Sequence, residues 1–260
     1  MPGSSKGDTA RTLLAAIGGL NNAQEALLCP TLYTPDGRLG EYLAKMDPLV
    51  QLKRAGELDA AQTQQLGYML EELALLVFQG LEDIDLVKSY QSAGPQHDLL
   101  VSGIDSLWLC ICQLLRIKHF SGILIEAKAW SEKVGDNELQ RLGSILAHHL
   151  GQTVGLGVFL TLEGASGFPA QGEQSLGLRH SRVTQLVIYH ALHKPIVVLD
   201  WEDIMCLNEA GALIKVLRRK IDEIEHMTGL PPALASEPVE ILLPERMRPL
   251  CSIKPPPPGP

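Results

Sequence analysis

The chain has 260 residues, of which 45% are apolar, and a formal net charge of −8. This length allows one large domain or a core domain with additions, and the apolar share excludes a wholly disordered chain. No apolar run approaches the roughly 20 residues of a membrane span, and the first residues lack the anatomy of a signal peptide, so we expect a cytoplasmic protein without membrane contact. The acidic balance argues against a protein that coats nucleic acid non-specifically.

The first part of the chain is predicted to be helical. A helical pattern covers residues 11–28, turn chemistry covers 29–40, and a second helix over 41–58 is interrupted near Pro48. Asp59 is then predicted to cap a long helix. Its apolar residues recur at helical spacing, namely at Leu66, Met69, Leu70, Leu73, Leu76 and Val77.

The pattern then changes to strands that alternate with helices. Residues 87–92 and 97–103 are predicted as paired strands joined by a turn at 93–96. Residues 105–117 fit a helix or a strand, and we favour a helix. Strands are predicted at 122–130, 154–162 and 194–201, and helices at 137–151, 174–193 and 202–229. This order predicts an α/β fold with a mixed β-sheet flanked by helices.

Three charged residues interrupt the apolar pattern of the predicted strands. Glu126 and Lys128 are two positions apart in GILIEAKAW, so their side chains lie on the same face of the strand. Asp98 opens the preceding strand. Two carboxylates on adjacent strands suit Mg²⁺, and a lysine beside them can orient the attacking water and offset charge on the phosphorane. The three residues together predict hydrolysis of phosphodiester bonds.

HDLLVSG followed by ILIEAKAW resembles the motif of the PD-(D/E)xK superfamily, also called restriction-endonuclease-like. In that motif an acidic residue opens the second strand and (D/E)-x-K lies on the third. The resemblance covers about residues 65–207. Within this range, further segments resemble members of the superfamily from bacterial restriction and anti-phage defence loci, namely GPQHDLLV, the segment around Trp108, ELQRLG, GLGVFLT and KPIVVLDWEDI. It implies a restriction-endonuclease-like fold and a Mg²⁺-dependent DNA endonuclease of restriction or defence, in which Mn²⁺ can substitute.

The resemblance also implies a role for each residue of the motif. Asp98 and Glu126 would ligate the metal together with the backbone carbonyl of Ala127, and Lys128 would be the catalytic lysine. DNA would be the substrate, and we expect a homo-oligomer.

Further site residues are expected on the helices. Gln140 matches a glutamine that points back to the site in many members of the superfamily, and the core helix often supplies one more acid, for which Glu72 is the candidate and Glu71 the alternative. Asp105 could replace Asp98 as the first acid. We prefer Asp98 because it begins an apolar strand after a turn, whereas Asp105 has the position of a helix cap.

The chain is divided into an N-terminal helical region (1–62), a nuclease-like core (63–230) and a proline-rich tail (231–260). The basic cluster RIKH at 116–119 is a candidate DNA-facing rim, because it directly precedes the motif strand. The cluster KVLRRK at 215–220 either follows a phosphate backbone or is an ordinary solvated face.

Two other functions stay open. Many relatives carry a basic residue after the fourth strand, where this chain has TLEGASG. This departure and the acidic charge favour the alternative of a catalytically inactive nuclease-fold module for nucleic-acid binding or protein assembly. In the other alternative, the leucine-rich N-terminal helices bind a regulatory protein.

Overall fold

The computed structural model of the protein describes residues 22–88, 98–118, 121–129, 133–166 and 180–226. Its α-helices are α1 (Asn22–Leu32), α2 (Leu39–Arg54), α3 (Ala60–Phe78), α4 (Ser106–Leu114), α5 (Asp136–Ser144), α6 (His180–Leu192), α7 (Trp201–Met205) and α8 (Ala212–His226). Its strands are β1 (Asp85–Lys88), β2 (Leu99–Ser102), β3 (Gly122–Lys128), β4 (Val154–Thr161) and β5 (Ile196–Leu199). No helix in these ranges has the length and apolarity to cross a bilayer.

The strands form one mixed sheet in the order β1-β2-β3-β4-β5. Strands β1, β2 and β3 are antiparallel neighbours, while β4 and β5 run parallel to β3. Helices α5 and α6 lie in the two crossovers between the parallel strands. The prediction of an α/β fold with a mixed sheet is therefore confirmed, and the ambiguous segment before β3 is a helix, α4.

Both faces of the sheet are buried, because successive side chains of each strand point to opposite faces. On one face, Ile123 and Ile125 belong to an apolar cluster with residues of α1, α2, α3, α4 and α8. On the other face, Leu124 and Phe159 belong to a second cluster, to which α5 contributes buried residues and α6 partly buried ones. The three parallel strands are therefore mostly apolar and buried, and a charged side chain within them needs a partner.

The N-terminal helices share this core. Leu32 of α1 and Met46 of α2 lie in the same apolar cluster as Ile125. The predicted boundary between residues 62 and 63 falls within α3. The predicted cap of α3 is confirmed, since the Asp59 carboxylate accepts a hydrogen bond from the amide of Gln62 at 2.7 Å. The predicted tail and the predicted turn at 93–96 lie outside the described residues. Parts of other predicted segments also lie outside them, namely 11–28, 87–92, 97–103, 122–130, 174–193 and 202–229.

Some helix ends differ from the predictions. Pro30 and Pro48 lie inside α1 and α2, where a turn and an interruption were predicted. Buried neighbours in the core offset the hydrogen bond that a proline removes. The helix predicted over 202–229 is divided into α7, a 3₁₀ turn and α8. Gly211 precedes α8 with φ of +78°, and a Cβ there would lie 2.7 Å from the carbonyl carbon of Cys29, so both backbone angle and space require glycine.

Candidate active site

The three parallel strands end at one edge of the sheet, here named the carboxyl edge. Glu126 and Lys128 lie in the last three residues of β3, Thr161 ends β4, and Asp200 directly follows β5. Open α/β sheets bind their ligands outside the carboxyl ends of the strands. The polar side chains of this molecule that interrupt the apolar strands therefore lie where a ligand site is expected.

Asp98 lies beside the motif strand. Strands β2 and β3 pair Leu99 with Ile125, so one further step of the antiparallel register brings Asp98 opposite Glu126. The Asp98 carboxylate accepts a hydrogen bond of 2.6 Å from the amide nitrogen of Ala127. The structure thus brings together Asp98, Glu126 and Lys128.

Asp105, the alternative first acid, lies at the far end of β2. It precedes α4 at the N-cap position, without a hydrogen bond from its side chain to the helix. Because β2 and β3 are antiparallel, this end of β2 is next to the start of β3 and away from Glu126. The structure therefore favours Asp98 over Asp105.

The Glu126 carboxylate is buried and only half satisfied. Its side chain is 3% exposed, and Oε1 contacts both Lys128 Nζ, at 2.6 Å, and Arg141 Nη2. Oε2 is buried and has no hydrogen-bond partner among the described residues. A buried acceptor without a partner costs about 1–3 kcal/mol, so it calls for a ligand or a functional reason.

This donor set fits Mg²⁺. The ion takes oxygen ligands, and one or two carboxylates are enough because it keeps several waters. Asp98 and Glu126 offer two carboxylates, the backbone carbonyl of Ala127 belongs to the same segment of β3, and the unpartnered Oε2 is an oxygen that a cation would satisfy. The described residues contain no group of three or more His, Cys, Asp or Glu side chains placed to hold a metal ion.

Glu72, the expected third acid, is not brought to this pair. Its carboxylate accepts a hydrogen bond of 2.6 Å from the Tyr42 hydroxyl at the exposed surface of α3. The apolar side of α3 packs in the cluster of Ile123 and Ile125, whereas Glu126 lies on the opposite face of β3. The alternative, Glu71, is likewise an exposed residue of α3.

Gln140 and Arg141 are neighbours on α5, and the structure places the second against the site. The Gln140 amide donates a hydrogen bond of 3.0 Å to Asp136 of its own helix. Arg141 reaches back to Glu126. Periodicity could not separate the two, because both are exposed residues that flank the buried stripe of Leu139 and Leu142. Sequence reasoning missed Arg141.

Two further cations reach the carboxyl edge from the end of α2. Lys53 donates to the carbonyl of Ala129, just after β3. Arg54 donates to the carbonyl of Leu162 at 3.0 Å and contacts the carboxylates of Glu202, at 3.0 Å, and Glu163, at 3.6 Å. Arg54 therefore brings a cation to the segment that follows β4, and the described part of this segment has no basic residue of its own. No sequence signal pointed to it, because α2 lies far away along the chain.

Burial and charge act on Lys53 in opposite directions. Desolvation lowers the pKa of Lys53, while the nearby Glu163 carboxylate acts to raise it. The net shift is downward, so the removal of water outweighs the neighbouring negative charge.

The two basic clusters noted in the sequence are engaged in ion pairs. Arg116 of the first cluster contacts Asp222 at 2.9 Å, and also Glu225, beyond the start of β3 rather than its end. In the second cluster, Arg219 and Lys220 both contact the buried Asp203. The contacts of Arg116 therefore lie away from Asp98 and Glu126, and the structure does not place Arg116 at the rim of the site as the sequence predicted.

Comparisons of the chain with models of protein families, with curated proteins and with solved structures found no match.

Proposed function

We propose that this protein is a metal-dependent endodeoxyribonuclease of the PD-(D/E)xK type, with a restriction-endonuclease-like fold and a role in restriction or anti-phage defence. The observation that carries the proposal is the buried Glu126 carboxylate, which has an unpartnered oxygen and lies beside Asp98 and Lys128. The order of elements supports it, since an acid directly precedes β2 and Glu-x-Lys ends β3. The defence role is supported only by the resemblance of the sequence segments.

In this proposal Asp98, Glu126 and the carbonyl of Ala127 hold Mg²⁺. When bound, the ion supplies Lewis-acid stabilisation of the phosphate and favours deprotonation of water. Lys128 offers its ammonium group beside the carboxylates, where it orients the attacking water and offsets negative charge on the phosphorane. The attacking water gives up a proton to solvent as its oxygen forms the new bond to phosphorus. The bond to the leaving oxygen breaks, and that oxygen takes up a proton from solvent.

The surroundings of the site support this chemistry. Glu126 pairs in register with Phe159 of β4, and Leu124, Leu139 and Leu142 line the same face of the sheet. This apolar wall excludes water behind the carboxylates, so electrostatic interactions with the phosphate would be stronger than in bulk water.

The proposal is tested by cleavage of plasmid and single-stranded DNA with Mg²⁺, Mn²⁺ or Ca²⁺. We expect cleavage with Mg²⁺ and Mn²⁺ and none with Ca²⁺, whose larger coordination shell places the water poorly. Asp98→Asn should abolish cleavage. Asp105→Asn, which neutralises the alternative acid at the other end of β2, is the matched control and should cleave like the wild type.

A nuclease-fold module without catalysis is the second candidate function. It is favoured by Oε1 of Glu126, which contacts two cations and so already has its charge neutralised. It is also favoured by Glu163, an acid in the segment after β4. In the same assay this protein would bind DNA without cutting it under any of the three ions, and Asp98→Asn would bind as the wild type does.

A further inference from the structure

Arg141 and Lys128 contact the same oxygen of Glu126 in different ways. Lys128 belongs to the same strand as Glu126, and its side chain is 19% exposed. Arg141 extends from α5, and its side chain is 43% exposed. The strand itself therefore keeps Lys128 close to Glu126. Nearly half of the Arg141 side chain already faces solvent, so the free-energy cost of moving Arg141 away from Glu126 is smaller than for Lys128.

The charge at the site changes once a metal ion binds. Asp98, Glu126, Lys128 and Arg141 sum to a net charge of zero. A divalent ion on the two carboxylates would add two positive charges beside the Arg141 guanidinium, and like charges at this distance repel. A DNA phosphate brings compensating negative charge to the same place.

Arg141 is also chemically suited to that phosphate. A guanidinium presents planar, paired N–H donors that match phosphate oxygens. Two other cations of the carboxyl edge contact backbone carbonyls, Lys53 that of Ala129 and Arg54 that of Leu162, and Arg54 also contacts two carboxylates. Arg141 combines a large exposed fraction with a single observed carboxylate partner that the metal would share.

We propose that Arg141 is the phosphate-binding residue of this site, held on Glu126 in the free protein and transferred to the DNA backbone when metal and DNA bind. This inference rests on the proposed nuclease function. It gives Arg141 two opposing effects: it competes with the metal for Glu126, and it strengthens binding of DNA.

The test compares wild type, Arg141→Gln and Arg141→Lys with Arg116→Gln as the matched control. Arg116 has a similar exposed fraction, 41%, and also contacts carboxylates, but beyond the start of β3. Two quantities are measured without turnover. One is the Mg²⁺ concentration at half-maximal thermal shift in the absence of DNA, and the other is the affinity for a short fluorescent DNA duplex in Ca²⁺ over a series of salt concentrations.

We expect Arg141→Gln to lower the half-maximal Mg²⁺ concentration about threefold or more, because the guanidinium no longer competes for Glu126. DNA binding should weaken about tenfold or more, as for loss of a hydrogen bond to a charged group, and the salt dependence of log Kd should become shallower by about one phosphate contact. Arg141→Lys should keep the salt dependence and recover part of the affinity. Arg116→Gln should behave as the wild type in both measurements.

Two other results of these measurements would each contradict one of the proposals. If Arg141→Gln binds DNA with the wild-type affinity and salt dependence, or needs more Mg²⁺, then Arg141 only neutralises Glu126 and the inference is wrong, while the nuclease proposal stands as long as the wild type cleaves. If the wild type neither responds to Mg²⁺ nor cleaves DNA, the proposed function fails, and the inference about Arg141 fails with it.

Discussion

Two buried carboxylates of this protein, Glu126 and Asp203, each contact two cations, and they differ in how those cations are arranged. Asp203 accepts from Arg219 on Oδ1, at 2.7 Å, and from Lys220 on Oδ2, at 2.6 Å. Glu126 receives both of its cations on Oε1, and Oε2 has no partner among the described residues. Asp203 therefore has a bond on each oxygen, whereas Glu126 is satisfied on one side only.

The cations also differ in their exposure. Arg219 and Lys220, at 20% and 11% exposed, extend from α8 into the interior, while Arg141 at the other site is 43% exposed. Asp203, Asp200, Arg219 and Lys220 are here named the Asp203 cluster. The buried atom of this cluster that has no hydrogen-bond partner among the described residues is a donor, Arg219 Nε, which cannot bind a metal ion. Buried charge is thus common to both places, and Glu126 combines an acceptor without a partner among the described residues with a cation that is 43% exposed.

The largest difference between the Glu126 and Asp203 sites is expected in how much each contributes to the free energy of unfolding. Asp203→Asn removes the nearest carboxylate of both Arg219 and Lys220 and, among the described residues, leaves Arg219 only the longer contact to Glu223, at 3.8 Å. Breaking such a buried pair costs about 3–5 kcal/mol. We expect the free energy of unfolding, measured by urea denaturation, to fall by this amount while the Mg²⁺ response persists. A loss below about 1 kcal/mol would show that the Asp203 cluster is not the structural element that its bonding indicates.

The next prediction compares Lys128, which contacts Glu126, with Lys220, which contacts Asp203. Lys128→Met should lower the rate of DNA cleavage about a hundredfold or more, on the scale of lost electrostatic stabilisation, with little change in melting temperature because Glu126 keeps Arg141. Lys220→Met should do the reverse, lowering the melting temperature and leaving the rate per folded molecule unchanged. Rates and melting temperatures of both variants form the measurement, and a slower Lys220→Met enzyme would contradict the division between the two sites.

A smaller effect is expected for Glu126→Gln. Arg141 is 43% exposed and can turn toward water, and loss of the buried charge relieves the desolvation cost of Oε2, so the loss of unfolding free energy without metal should be about 1 kcal/mol or less. Wild type should gain about 1.4 kcal/mol at a Mg²⁺ concentration ten times its Kd, and the variant should gain nothing. Thermal-shift titrations with Mg²⁺ and Mn²⁺ make the comparison. An equal gain in both proteins would mean that the ion binds elsewhere.

The motif residues were predictable from the sequence for a local reason. Glu126 and Lys128 interrupt an apolar strand, and Asp98 follows a turn and opens the next strand, so period two and strand order were enough to bring them together. The alternation of strands and helices gave the mixed sheet for the same reason, since both signals are carried within about ten residues of chain.

Contacts between distant elements were not predictable in this way. Arg141 and Arg54 come from exposed sides of helices, where the sequence pattern fixes no partner. The sequence predicts an interruption at Pro48, because it does not show how well the neighbours of this proline pack. The break before α8 lies at Gly211, which has a positive φ and approaches α1 closely, a contact that the neighbouring sequence does not indicate.

The smallest effect concerns pH and lies within the Asp203 cluster. Burial, and then the neighbouring Asp203 carboxylate, raise the pKa of Asp200 above its ordinary value. The folded state therefore binds this proton more tightly than the unfolded state, and the free energy of unfolding falls as pH rises from the ordinary pKa through the raised one. Asn keeps the cap that Asp200 gives to α7, a hydrogen bond of 2.9 Å from the Asp203 amide, and removes the charge.

Asp200→Asn should therefore match the wild type near the ordinary pKa of aspartate and become the more stable protein as pH rises past the folded-state pKa. Asp36→Asn is the control, and its stability relative to the wild type should change with pH in the opposite direction. The Arg38 guanidinium lowers the pKa of Asp36, so this variant should match the wild type only in acid and be the less stable protein at neutral pH. Urea denaturation of the three proteins across this pH range measures both trends. A stability difference for Asp200→Asn that does not change with pH would mean that its carboxyl has the same pKa folded and unfolded, and that the Asp203 cluster accommodates its acids without strain.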